Sequence, residues 1–266
     1  MNIRINFIWI SVLVFLFSSC KKVVELDLSN NAERLVIEGN ITNQPGPYFI
    51  RLTRSVNFNE PNNYPPVLNA QVIVSDNTNQ RDTLTYSGNG YYKTNGLKGV
   101  EGRTYFLSVL AEGKKYTAES SMPAAVKLDS LVLSYFTANG KDRINVIPLY
   151  TDPVMLGNSY RFIQKVNNKP DETYYAFNDN LNNGLTNQRP LRSNDPDLDL
   201  VAGDLVQIEM QCISRETFSY FYSLSQQARN GFSGGTAPVN PPNNLSGDAL
   251  GIFSAHTTQT RTVLIR

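Results

Sequence analysis

The chain has 266 residues, of which 24 are Lys or Arg and 23 are Asp or Glu, so its net charge is close to zero. A balanced charge without basic runs argues against a nucleic-acid-binding surface. The sequence contains one histidine and two cysteines, which excludes a histidine-rich zinc site and a framework of several disulfides.

The start of the chain has the organisation of a bacterial lipoprotein signal. Arg4 supplies a positive charge, an apolar run covers 7–17, and two serines precede Cys20. The apolar run is about eleven residues long, well short of the ~20 that a membrane-spanning helix needs. We expect residues 1–19 to be a signal peptide, Cys20 to carry the lipid, and residues 20–30 to form a tether. An ordinary cleaved signal with an incidental cysteine is the alternative.

The next part of the chain, residues 31–122, alternates apolar and polar residues with the period of two that strands require. This alternation is clear in 48–53, 70–75 and 105–110, and turn-forming residues separate the runs. Several short strands at this spacing predict a β-sandwich domain. The glycines and aromatic residues of 90–116 resemble those of the small prealbumin-like or carboxypeptidase-regulatory-like sandwiches, which are mostly spacers and docking domains.

A second β-rich domain is predicted over 123–266, with antiparallel strands and one amphipathic helix. In 206–212 the apolar residues share one face, which places Cys212 inside as a small hydrophobic residue. Ser214 is a suitable N-cap for a helix over 215–229, in which aromatic side chains form one stripe. The prediction for the whole chain is therefore mainly β, with two β-sandwich domains.

Two loops of the second domain are candidate binding elements. The first is Asn- and Asp-rich and covers 178–199, and the second is rich in Gly, Pro and Asn and covers 230–248. Long loops without periodicity inside a domain are uncommon and often functional. The alternative is a mobile surface loop without a binding role. After the second loop, strands over 250–255 and 261–265 are predicted to close the domain.

Six side chains in or near these loops are candidate ligand- or partner-binding residues. They are Tyr174, Tyr175, Asn178, Asp179, Asn240 and Asn243. The tyrosine rings could stack on a sugar, with packing on a strand as the alternative.

A calcium loop is the main metal site to consider, because residues 178–184 are rich in side-chain oxygens. Gly184 comes one place too late for an EF-hand loop, and Arg189 occupies the position of the last ligand. Ordinary turn chemistry explains the segment, so no metal or cofactor is predicted. No catalytic residue is predicted either, since His256 is the sole histidine and no G-x-S-x-G motif is present.

The order of these landmarks resembles the Bacteroidota lipoprotein family catalogued as domain of unknown function 4249 (DUF4249). The matching segments are 18–20, 35–48, 102–105, 158–162, 203–204, 213–214, 240–245 and 247–253. The resemblance implies an envelope lipoprotein associated with a TonB-dependent outer-membrane receptor. It assigns no catalytic residues.

We therefore expect a non-enzymatic binding or accessory protein, anchored to the outer membrane through Cys20. The face of the membrane, periplasmic or cell-surface, stays open. One alternative is a structural or adhesive envelope protein without a small ligand, which predicts no concave pocket. The other is a carboxylate-based hydrolase, which predicts two facing carboxylates in a cleft.

Overall fold

The structure of the chain, a computed structural model, describes residues 33–57, 60–138, 140–181, 183–195, 198–230 and 239–266. This part of the chain is mainly β, with several sheets and one α-helix, as the sequence predicts. The expected signal peptide and Cys20 lie outside the described residues. Within the described residues, no helix is both long enough and apolar enough to cross a membrane.

The first eight strands form two layers around one core. They are β1 (Leu35–Thr42), β2 (Phe49–Arg54), β3 (Ala70–Asp76), β4 (Arg81–Thr83), β5 (Thr85–Gly88), β6 (Tyr91–Lys93), β7 (Thr104–Ala111) and β8 (Lys114–Ser121). One layer contains β1, β2, β6 and β5 in that order, and the other contains β4, β3, β7 and β8. Ile37 and Leu52 of one layer share a core with Val72 and Tyr105 of the other. This arrangement confirms the predicted β-sandwich.

Two predicted turns connect neighbouring strands of this sandwich as tight hairpins. Glu112 and Gly113 join β7 to β8 with φ angles of 51° and 76°. Asn89 and Gly90, between β5 and β6, have φ angles of 49° and 80°. Positive φ at both central residues matches the twist of the flanking strands, which explains the glycine at the second position of each turn and the asparagine at the first position of one.

The remaining elements surround a second core. They are β9 (Ser130–Ala138), β10 (Lys141–Leu149), β11 (Ser159–Val166), β12 (Lys169–Pro170), β13 (Tyr175–Asn178), a short 3-10 helix (Asp179–Leu181), β14 (Leu205–Cys212), the helix α1 (Arg215–Asn230) and β15 (Leu250–Leu264). Phe162, Val206 and Ile208 are fully buried in this core. The hairpin of β9 and β10 forms a separate two-stranded sheet that packs on the core through Leu131 and Ile144.

One long strand, β15, joins the two halves of the molecule. Its first half pairs in parallel with β1, from Leu250 opposite Val36 to His256 opposite Thr42. Its second half pairs antiparallel with β14, beginning at Thr257. A single nine-stranded sheet results, in which β12, β11, β14, β15, β1, β2, β6 and β5 follow one another and β13 adds to β11. The division of the chain into two domains at residue 123 stays a prediction.

The sequence-based prediction of two closing strands is wrong, because β15 is continuous from Leu250 to Leu264. The residues between the two predicted strands are mainly threonines, which are β-branched and favour an extended backbone. Their polar character breaks the apolar alternation by which strands are recognised in a sequence. In the structure they are the point at which β15 leaves β1 and meets β14.

The predicted helix is confirmed as α1, which begins at Arg215. The hydroxyl of Ser214 accepts a hydrogen bond from the amide of Thr217 at 3.3 Å, as an N-cap should. Phe221 packs against Ala176 of β13 and Ile252 of β15. The helix therefore covers one face of the sheet beside β13.

Candidate functional site

A cavity of about 440 Å³ lies between β13, α1 and the segment 189–194. We call it the arginine groove. Its lining residues are Thr173, Tyr174, Tyr175, Ala176, Phe177, Arg189, Pro190, Arg192, Asn194, Tyr222, Ser225 and Gln226. Its volume lies within the range of small-molecule sites in proteins.

The carboxylate of Asp171 fixes one wall of the groove. It accepts hydrogen bonds from the hydroxyl of Tyr175 at 2.6 Å and from the hydroxyl of Ser193 at 3.1 Å. The amide of Thr173 and the side-chain amide of Gln164 donate to it as well. Because these donors come from three parts of the chain, Asp171 holds the segment 189–194 against β13.

Two arginines give the groove its charge. Arg189 places its Cζ atom 3.9 Å from the centre of the Phe177 ring, and Arg192 lies 5.7 Å from the ring of Phe136 on β9. Stacking on an aromatic face orients a guanidinium group without removing its charge. Among the described residues that line the groove, none is Asp or Glu. Arg189 and Arg192 are therefore the charged residues among those that the structure describes in the lining.

The helix and β13 add flat aromatic surface to this charge. Tyr174 and Tyr222 are 38% and 45% exposed, so both rings are available to a ligand. Beneath them, Arg161 lies 3.7 Å from the centre of the Phe221 ring. Burial lowers the pKa of Arg161 to about 10, while the negative charge of Glu209 acts in the opposite direction, so the guanidinium stays charged at neutral pH.

The structure brings two of the six predicted binding residues to the groove. Tyr174 exposes its ring there, whereas Tyr175 is buried and its hydroxyl is bound to Asp171. Burial, and next the neighbouring carboxylate of Asp171, raise the pKa of Tyr175. Asn178 and Asp179 lie at the end of β13. The carboxylate of Asp179 accepts hydrogen bonds from the amides of Gly157 and Asn158 and so shapes a loop.

Asn240 and Asn243 lie elsewhere, in the described end of the 230–248 loop. Asn240 is exposed, and Asn243 forms a turn in which its side chain accepts from the amide of Leu245 and donates to the carbonyl of Ala249. The next residue, Asn244, donates to the carbonyls of Glu119 and Phe253 and accepts from the amide of Phe253.

These contacts make the segment 243–246 an extra partner for the edge strand β8. Leu245 lies opposite Ala118, and the amide of Ser246 donates to the carbonyl of Thr117 at 2.8 Å. The backbone groups of an edge strand otherwise offer a template for unwanted pairing. Asn243 and Asn244 therefore have a structural explanation.

His256 and Cys212, for which no catalytic role is predicted, are both buried and lie outside the lining of the groove. Burial lowers the pKa of His256 to about 3, and its Nδ1 lies 2.9 Å from the hydroxyl of Ser254. Cys212 is buried in the second core, as predicted, and burial raises the pKa of its thiol. A neutral enclosed imidazole and a protonated thiol offer no nucleophile to a substrate.

A second cavity, of about 700 Å³, is bounded by 43–48 and 93–99. Several of its polar groups already form hydrogen bonds with other groups of the protein. The amides of Gly96 and Leu97 donate to the carboxylate of Asp82 at 2.8 and 3.0 Å. The hydroxyl of Tyr48 donates to the carbonyl of Gln44 and accepts from the amide of Gly99. The arginine groove is the better candidate because it combines charge with exposed rings.

Sequence reasoning missed Arg189 and Arg192, and it counted Tyr222 only within the aromatic stripe of the predicted helix. The available signal was the run Arg189-Pro190-Leu191-Arg192, which places two cations just before an acidic stretch. Their convergence with α1 depends on contacts between distant parts of the chain. No local pattern specifies those contacts.

The described part of the chain is mainly β, with several sheets and one helix. The chain belongs to the family described as "Domain of unknown function (DUF4249)", whose model matches residues 21–262. No curated protein matches the sequence. A solved structure titled "Cytokine receptor complex - Crystal form 1A" is 9% identical, with 86% of this chain and 95% of that chain covered. Its TM-score is 0.25, and nothing about this chain follows from it.

Proposed function

We propose that this protein is a non-enzymatic binding protein of the cell envelope, anchored to the outer membrane through a lipid on Cys20. Its ligand site is the arginine groove, and its ligand carries an anionic group beside a flat apolar part. It works as an accessory to a TonB-dependent uptake system. The lipoprotein signal at Cys20 supports the anchor, and the sequence resemblance to envelope lipoproteins supports the association with transport.

The observation that carries the proposal is the pairing of two oriented guanidinium groups with two exposed tyrosine rings. Arg189 and Arg192 supply the charge, and Tyr174 and Tyr222 supply the apolar surface. A structural or adhesive protein without a ligand has no need of such a cavity, so the groove favours a binding role. The groove has no carboxylate among its described lining residues, which disfavours a carboxylate-based hydrolase.

The groove can be tested with two fluorescent probes that differ in charge. Anilinonaphthalene sulfonate combines an aromatic body with an anionic group, and phenylnaphthylamine is its uncharged counterpart. We expect the sulfonate to bind the purified full chain more tightly. The double variant Arg189→Glu/Arg192→Glu should weaken sulfonate binding by at least about tenfold, which corresponds to roughly 1.4 kcal/mol. Binding of the uncharged probe should change little.

Lys115→Glu is the control for a charge change alone, because Lys115 is exposed on β8 and outside the lining of the groove. This variant should bind both probes as the unaltered chain does. Equal loss of sulfonate affinity in the control and the double variant would show that net charge, rather than the groove, governs binding. That result would contradict the assigned site.

The association with transport needs a separate experiment in the native membrane. The tagged full-length protein is extracted in detergent, purified and examined by mass spectrometry, beside the variant Cys20→Ala. We expect one TonB-dependent receptor to accompany the lipidated protein and to be lost with the variant. Recovery of the lipidated protein without a receptor would contradict the accessory role and leave the groove as a site for a soluble ligand.

A further inference from the structure

The strand β9 has a hydrogen-bonded neighbour on one side only. It pairs along its whole length with β10, and these two strands form a sheet of their own. Leu191 bonds to Val146 of β10 on the side away from β9. Within the described part of the chain, no backbone group of β9 forms a hydrogen bond outside this hairpin. Every second residue of β9 therefore directs its N–H and C=O groups outward, to an edge without a partner.

The side chains of β9 show that this edge is accessible. None of those that the structure describes is buried, and Val132 and Tyr135 are 43% and 64% exposed. On the neighbouring strand β10, by contrast, Val146 is fully buried. Leu133 is partly buried and packs against the second core, so one face of β9 is attached to the molecule while its edge stays open.

The sequence of β9 lacks the features that keep edge strands from pairing, which include a short length, charged side chains, proline and a covering segment. β9 has nine residues, Ser-Leu-Val-Leu-Ser-Tyr-Phe-Thr-Ala, without a charge, a proline or a glycine. Other outer strands have such features. β4 has three residues, of which two are Arg81 and Asp82. β12 contains Pro170, and the segment 243–246 covers β8. A long, uncharged edge is a surface for pairing with another strand.

We propose that β9 is a homodimer interface, in which the β9 strands of two copies pair antiparallel across a two-fold axis. The hairpins of both copies then form one four-stranded sheet, and the outward backbone groups of each β9 bond to the other. Ser134 is the middle residue of the strand. Pairing over the full length of β9 therefore places Ser134 of one copy opposite Ser134 of the other, at the two-fold axis.

The side chains of β9 are complementary to one another in this register, which favours a second copy over a strand of another protein. Val132 of one copy lies opposite Phe136 of the other, and Leu133 lies opposite Tyr135. Each aromatic ring therefore meets an aliphatic side chain, a pairing that stabilises sheets. No like charges meet, because β9 has none and the charged residues 141–143 of the hairpin lie on β10, the outer strand of the combined sheet.

Disulfide formation at the two-fold axis tests both the pairing and its register. Ser134→Cys in the full chain places two thiols on opposite residues, whose Cα atoms lie ~4.5–5.5 Å apart in an antiparallel pair, within reach of a disulfide. Mild oxidation of cells that contain this variant should give a product of twice the mass of the chain. Ser130→Cys is the matched control, because its two copies lie ~27 Å apart in this register and should not be joined. The native Cys212 is buried and does not compete.

Sedimentation of the purified full chain in detergent measures the dimer without a cross-link. Ser134→Lys should weaken dimerisation by about tenfold, because it brings two ammonium groups together at the axis. Thr83→Lys adds the same charge at an exposed position of β4 and should leave dimerisation unchanged.

Three results would overturn the proposal. They are a monomer at all concentrations of the unaltered chain, equal cross-linking through residues 130 and 134, and a product that joins the Ser134→Cys variant to a different protein. The last result would assign the edge of β9 to that protein. Neither experiment involves the lining of the arginine groove, so failure here leaves the proposed ligand site to be judged by its own test.

Discussion

The single histidine, His256, lies where β15 passes from one core to the other, and it is fully enclosed. Burial is the main reason that its pKa falls to about 3, and the charge of Arg161 acts in the same direction. The next residue along β15, Thr257, lies opposite Cys212 of β14. The junction between the cores therefore contains an enclosed histidine that is uncharged at neutral pH.

His256 makes the stability of the protein sensitive to acid. Unfolded histidine binds a proton below pH 6.5, whereas folded His256 does so only near pH 3, so stability present at neutral pH is lost as the pH falls through this window. Between pH 7 and pH 5 we expect a loss of about 2 kcal/mol from this one group. Urea unfolding at pH 7 and at pH 5 measures this loss in the free energy of unfolding.

The variant His256→Gln lacks this proton linkage. Its free energy of unfolding should fall by about 2 kcal/mol less between pH 7 and pH 5 than that of the unaltered chain. If both proteins lose the same stability over this range, His256 is not the group responsible.

At the scale of elements, the contacts of the 243–246 segment explain why an irregular stretch lies next to a long strand. The side chain of Asn244 links β8 to β15, because its amide donates at 2.7 Å to the carbonyls of both Glu119 and Phe253. Asn244 thus joins β8, at the edge of one layer of the sandwich, to β15, which pairs with β1 of the other layer.

We expect Asn244→Ala to lower the free energy of unfolding by about 3 kcal/mol, since it leaves several half-buried backbone groups without partners. Asn240→Ala, in the same motif but on an exposed residue, should change it by less than about 0.5 kcal/mol. Chemical denaturation of the unaltered chain and of the two variants gives the free energies of unfolding to be compared. Equal stability of the two variants would refute a structural role for Asn244.

Much of this element-level organisation could be predicted from the sequence. The strands near 48–53, 70–75 and 105–110, the cap at Ser214 and the burial of Cys212 follow from local period and residue type. The continuity of β15 could not be predicted in the same way, because its threonines are polar yet extended. The arginine groove escaped prediction as well, since Arg192 and Tyr222 meet only through the packing of α1 on the sheet.

At the scale of the whole molecule, two hydrophobic cores share one sheet through β15. Leu52 is buried in the first core and Ile208 in the second. The first half of β15 pairs with β1 and its second half pairs with β14 within this one sheet, so opening one half of the molecule frees a backbone edge of the other. This connection favours unfolding of the described part as a single cooperative unit.

Leu52→Ala and Ile208→Ala should each lower the stability of that one unit by about 2–5 kcal/mol. Calorimetry should show one heat-absorption peak in both variants, shifted to lower temperature by similar amounts. Two separate peaks, of which each variant moves a different one, would instead show that the cores unfold independently.

The parallel pairing of β1 with β15 also sets an order of events during synthesis. Val36 emerges from the ribosome long before its partner Leu250, so the side of β1 that β15 covers has no partner strand while the residues between them are being made. The sandwich of β1 to β8 therefore stays open at this edge until β15 has been synthesised.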